Sequence, residues 1–134
     1  MPKYLLLKRY QGGPPHDFPL MDKWTEDEVS AHLAFIRHVE EMLRDRGELV
    51  DSTALRPEGT YVRYGGPGQA PVTDGPFPET KELAAGWLLV DVESQERAYE
   101  IAAYVSSGPG QGGKPLCEWI EVRPVFDGLP SAVE

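Results

Sequence analysis

Ala84-Ala-Gly-Trp-Leu-Leu-Val-Asp-Val92 is the longest apolar run of the chain, and the segment beyond it, opening at Ser94, has a different period. Bulky and β-branched residues over so short a length favour a buried strand over a helix. Ser94 suits a helix N-cap, and Ala98, Ile101, Ala102 and Val105 recur at helical spacing, which predicts a helix through about Val105. A glycine-rich connection, Gly108 to Gly113, then leads to a predicted final strand, Leu116-Cys-Glu-Trp-Ile-Glu-Val122. The C-terminal half therefore reads strand, helix, strand.

The N-terminal half repeats that order. Lys3-Tyr-Leu-Leu-Leu-Lys-Arg9 reads as a short strand buried on both faces. From Tyr10 to Trp24 the chain is irregular, and Pro14, Pro15 and Pro19 rule out a helix there. Loops of that length serve as lids or binding elements, or are disordered. Thr25-Glu-Asp-Glu28 spells a capping box, and a helix is predicted from about Glu26 to Arg46, with Gly47 at the left-handed C-terminal position. Glu48-Leu-Val-Asp-Ser-Thr-Ala54 and Tyr61-Val-Arg-Tyr64 follow as strands around the turn-forming Arg56-Pro-Glu-Gly59, and are expected to pair as neighbours. The two halves together give a βαββαβ order. That is the signature of a ferredoxin-like α+β fold, an antiparallel sheet with two helices on one face. The other face then needs a cover, from a second subunit or a ligand. Strand residues such as Leu6, Leu88 and Ile120, or their alternating neighbours, would lie there.

With 134 residues, 40% apolar and 26% charged, the chain fits one globular domain, placed at 1–127 with a short tail over 128–134. A formal charge of −9 argues against nucleic acid, whose affinity comes largely from clustered Lys and Arg. The single cysteine, Cys117, excludes an internal disulfide, and no apolar run approaches the roughly 20 residues of a membrane span. Tyr4-Leu-Leu-Leu7 before Lys8 and Arg9 is far short of a signal h-region, and a cytoplasmic protein that binds no membrane is expected. Three scattered histidines and one cysteine show no metal-ligand spacing, so neither a metal nor another cofactor is expected. Gly108-Pro-Gly110-Gln-Gly-Gly113 matches G-x-G-x-x-G by letter. It follows a helix and opens a strand, however, the reverse of a dinucleotide-binding turn.

Two places carry residues suited to chemistry. On the first helix Val29, Phe35, Ile36, Val39, Met42 and Leu43 form an apolar arc that also contains His32 and Glu40, while His38 falls on the solvated side. His32 is either a hydrogen-bonded core residue or, kept neutral by its surroundings, a base that works at neutral pH. Glu40 stands about 12 Å along the helix from it and cannot form a dyad with it, whereas Glu28, one turn before, could pair with it. The second place is Pro71-Val-Thr-Asp-Gly-Pro-Phe-Pro-Glu-Thr-Lys-Glu82. Asp74-Gly75 supplies a turn, and Pro76 and Pro78 hold Phe77 in an extended backbone beside Glu79, Lys81 and Glu82. This is either a rigid hairpin closure or one wall of a ligand site, with Asp74 polar or proton-accepting and Phe77 an apolar contact.

The run Val72-Thr-Asp-Gly-Pro-Phe-Pro-Glu-Thr-Lys-Glu82, with Ala85-Gly-Trp87 and Glu121-Val-Arg-Pro124, resembles the YCII-related family and within it the DGPF subfamily. The likeness runs from Lys3-Tyr-Leu-Leu-Leu7 to the Glu-Val-Arg-Pro segment. It implies a dimeric ferredoxin-like α/β barrel. Ala31-His-Leu33 is similar to the family's helix-borne histidine, which implies a small acid/base site of His32 with an aspartate, Asp74 by motif. Phe77, Glu79, Lys81 and Trp87 are then the expected ligand contacts. The resemblance implies two functions from different classes. One is a homodimeric, cofactor-free enzyme of lyase or isomerase type acting by His/Asp proton transfer on a small cyclic or aromatic compound. The other is a non-catalytic ligand-binding or accessory protein linked to sigma-factor regulation.

Overall fold

A computed structural model describes residues 1–9, 24–56, 58–75 and 84–126. The elements run in the order β1 (Lys3–Arg9), α1 (Glu26–Asp45), β2 (Leu49–Ala54), β3 (Tyr61–Arg63), β4 (Val72–Asp74), β5 (Ala84–Asp91), α2 (Gln95–Ser106) and β6 (Glu121–Pro124), with a 3₁₀ turn at Gln111–Gly113. Four strands form one antiparallel sheet in the order β2-β5-β1-β6, and β3 pairs with β4 in a separate two-stranded ribbon. Two helices and an antiparallel sheet in this order are compatible with a ferredoxin-like fold, into which the β3–β4 ribbon is inserted.

Both helices form where local signals place them. Thr25 Oγ accepts from the Glu28 N–H while Glu28 returns the bond to the Thr25 N–H, and Ser94 Oγ accepts from the Arg97 N–H. Gly47 leaves the end of α1 at φ 72°, the left-handed region that favours glycine. Val39 and Leu43 of α1 pack with Ala98, Ile101 and Val105 of α2 onto Leu6, Leu88 and Val90 of the sheet. Pleating sends alternate residues to opposite faces, so Leu6 and Leu88 lie under the helices while Leu5, Leu7, Trp87 and Leu89 occupy the other face, half-buried.

Several expectations are corrected. β1 is not buried on both faces: only Leu6 is, because both helices cover one side of the sheet. Leu6, Leu88 and Ile120 therefore pack on the helix-covered side, and of the two placements expected it is their alternating neighbours that occupy the other face. β2 and β3 do not pair with each other; β2 joins β5, with a register shift between Leu49 and Asp51, and β3 joins β4. The last strand begins at Glu121 rather than Leu116. The Leu116 and Cys117 N–H groups donate to the Gly108 and Ser106 carbonyls, which ties the approach to the end of α2, and Cys117 adopts φ 54° outside any strand.

Glu48 belongs to the α1–β2 connection rather than to a strand. Its carboxylate is clasped bidentately by Arg97 at 2.9 and 3.0 Å, with Arg46 at 3.3 Å. The Arg97 hydrogen bonds, aided by the Arg97 and Arg46 charges, hold its carboxyl below the usual carboxylate range. The pair pins the start of α2 to the end of α1.

Candidate functional site

The alternation that buries Leu6 under the helices delivers Lys8 to the same side of β1. There, α1 stands off the sheet and leaves a cavity of about 430 Å³, a size suited to a small metabolite. His32, Ile36 and Glu40 wall it from α1, and Lys8, Ser52 and Leu88 from the three nearest strands. Gly86 also borders it. A Cβ at that position would lie 2.7 Å from the Thr53 carbonyl oxygen, so the close approach of β2 to β5 here requires glycine.

His32 is 3% exposed. Its Nδ1 lies 3.0 Å from the Pro109 carbonyl oxygen and its Nε2 lies 3.3 Å from Lys8 Nζ. A carbonyl oxygen only accepts and an ammonium only donates. The partners therefore assign a neutral imidazole, with the proton on Nδ1 and the lone pair of Nε2 facing Lys8. Burial is the main cause that lowers the His32 pKa, and the Lys8 charge adds to it, against a smaller opposing effect of the Pro109 bond. Trp24 meets the ring edge-on, with centroids 5.5 Å apart at 78°. Lys8 is in turn 3.1 Å from Glu118 Oε1, with both side chains largely buried.

Glu28 does not pair with His32. One of its oxygens closes the capping box and the other accepts the Gly112 N–H, and these two backbone bonds, Gly112 first, lower its pKa. Glu28 and His32, one helical turn apart, thus both fasten the Gly108–Gly113 loop to α1. That loop follows α2 and wraps over α1. His38 is exposed.

Of the other expected site residues, Trp87 borders the cavity through its place in β5 between Gly86 and Leu88, while the pleat that sets it in register with Leu7 sends its side chain to the opposite face of the sheet. Asp74 ends β4 opposite Tyr61, exposed, and is not among the described residues that line the cavity. Phe77, Glu79 and Lys81 lie outside the described residues. Among the described residues no group of three or more His, Cys, Asp or Glu is placed to hold a metal ion, and no helix is long and apolar enough to cross a membrane.

The sequence reading missed Lys8 and Ser52. Lys8 could have been found from the two-residue spacing that links it to Leu6. Ser52, whose hydroxyl donates to Glu40 Oε2 at 2.8 Å, depends on where β2 sits in the sheet, which no local signal states.

Residues 15–108 match the YCII-related domain. The chain is also similar to an uncharacterized protein of Rhizobium meliloti (strain 1021), 28% identical over 112 residues that cover 82% of this chain and 86% of that protein.

Proposed function

This chain belongs to the YCII-related domain family, and from that premise we propose that it binds a small carbonyl-bearing cyclic or aromatic compound in the cavity beneath α1 and moves a proton there without a cofactor. The observation that carries the reading is the neutral His32, with its Nε2 lone pair at the cavity wall and the Lys8 ammonium beside it. In this reading Nε2 takes a proton from a carbon next to the carbonyl, and the C–H electron pair moves to give an enolate. The enolate oxygen is met by the Lys8 ammonium, a fixed positive charge where negative charge develops. The pair collapses either with return of the proton to another carbon, an isomerisation, or with departure of a leaving group, an elimination. Asp74, the aspartate implied by the family resemblance, enters this proposal as a separate contributor from the β3–β4 ribbon, with Phe77, Glu79 and Lys81 following it.

We further propose that the protein works as a homodimer, with the face bearing Leu5, Leu7, Trp87 and Leu89 packed on a second copy as in a dimeric α/β barrel. Light scattering at micromolar concentration tests this, and a monodisperse monomer contradicts it.

Hydrogen–deuterium exchange tests the chemistry. Cyclic ketones and unsaturated lactones incubated in D₂O with the protein should lose C–H signals next to the carbonyl, and His32→Ala should abolish the loss. Exchange absent with every compound, or undiminished in His32→Ala, contradicts the proposal. One observation favours the second, non-catalytic reading: the Nδ1 bond to Pro109, beside the Glu28 bond to Gly112, makes His32 a strut for the glycine loop.

A further inference from the structure

Glu40 has no part in the proton transfer, yet it sits on the apolar side of α1 and faces the same cavity. Of the described lining residues, Lys8 is the only cation and Glu40 the only carboxylate. His32 and Glu40 are separated by about 12 Å of helix, with Ile36 midway between them. Ser52 fixes one Glu40 oxygen from β2, two strands across the sheet from Lys8 on β1. Leu33, Ile36, Ala54 and Leu88 are among the apolar residues of the same lining.

We infer that the cavity reads its ligand at both ends, Lys8 taking an anionic or electron-rich oxygen and Glu40, oriented by Ser52, taking an ammonium or other strong hydrogen-bond donor across an apolar middle. The inference rests on the cavity assigned above as the ligand site. Glu118 does not cancel it. Glu118 is not among the described residues that line this cavity, and with one Lys8 N–H directed to Glu118 and another to His32 Nε2, the ammonium keeps a third donor for a ligand. A carboxylate kept on an apolar helix face, with a hydroxyl on one oxygen, costs desolvation that a cationic ligand group offsets on binding. A charge-assisted contact at either end separates binding of the right ligand from that of a singly charged analogue by about tenfold or more.

Titration calorimetry tests this with defined probes: 4-aminobutanoate, 5-aminopentanoate and 6-aminohexanoate, against pentanoate, glutarate and 1,5-diaminopentane. At least one amino acid of the series should bind about tenfold more tightly than each singly charged or symmetric analogue of similar length. Glu40→Gln should remove that advantage without weakening pentanoate binding, since it takes away a negative charge facing the anion, and Lys8→Met should weaken both. Ser52→Ala, which keeps the charge and loses its orientation, should give a smaller loss and serves if Glu40→Gln fails to fold. Equal binding of amino acid and mono-acid, an advantage that survives Glu40→Gln, or no binding of any probe overturns the inference. The deuterium exchange above is read independently. Two-ended binding without exchange leaves this inference standing and removes the catalytic reading; exchange without two-ended binding does the reverse.

Discussion

Lys8 Nζ lies 3.3 Å from His32 Nε2, close enough that the ammonium faces the imidazole lone pair across the end of the cavity. The contact has two opposite effects on a base. It disfavours protonation of the ring, and so keeps Nε2 free at neutral pH. It also places a positive charge where an oxyanion next to the abstracted proton would form.

The lowered pKa of His32 has a consequence for stability. Its folded value lies below the unfolded one, so the unfolded chain binds more protons between the two. The contribution is fully present above the unfolded value, about 6.5, and is lost as the pH falls below it. The melting temperature should therefore fall as the pH is lowered from 7 to 5.5, and His32→Gln should flatten that part of the profile. A profile in His32→Gln as steep as in the unaltered protein contradicts this.

His32→Ala and His38→Ala should separate by both stability and binding. The first orphans the Pro109 carbonyl beneath the loop and should cost roughly 1–3 kcal/mol, with loss of the response to cavity ligands. The second alters an exposed side chain and should stay within about 0.5 kcal/mol in a urea titration. A His32→Ala protein that is destabilised yet keeps its ligand response assigns His32 to structure alone.

Glu48→Gln should destabilise by about 2–3 kcal/mol, since it leaves the Arg97 guanidinium without its carboxylate in a largely buried setting. A double-mutant cycle with Arg97→Met measures the coupling, and a value near zero contradicts the bidentate clasp. The carboxyl pKa of Glu48 is lowered, so this contribution holds above pH about 4.5 and is lost as the pH falls below it.

Asp74→Asn keeps the shape of the turn and one acceptor oxygen while removing charge and basicity. If Asp74 contributes to the chemistry, exchange in D₂O should fall at least tenfold while the protein stays folded. An unchanged exchange rate removes Asp74 from the site and leaves Lys8 as the charged partner of His32.

What the sequence made legible follows the range of each signal. The capping box at Thr25 and Glu28, the cap at Ser94 and the turn at Gly47 are decided within four residues, and both helices stand where those residues place them. The buried stripe Ala98, Ile101, Ala102 and Val105 is likewise a matter of local period. Strand pairing is not local. Tyr61–Arg63 follows β2 in the chain but bonds to Val72–Asp74, while β2 pairs with β5 as the edge strand of the sheet. The segment before Glu121 has the composition of a strand, yet its Leu116 and Cys117 N–H groups go to the Gly108 and Ser106 carbonyls at and just past the end of α2, a choice made by tertiary contact. At the site, His32 and Glu40 were visible as polar interruptions of an apolar arc. Their partners, Lys8, Ser52 and the Pro109 carbonyl, come from elements brought together only by the sheet order.

Imidazole nitrogen NMR of ¹⁵N-histidine-labelled protein, titrated between pH 5 and 8, tests the account most directly. His32 should show a protonated Nδ1 and a bare Nε2 at neutral pH, and should titrate below the ordinary 6.5 of histidine. Lys8→Met should move that titration upward. A proton on Nε2 at neutral pH, or a His32 titration at or above the ordinary value, would contradict a neutral base poised at the cavity wall.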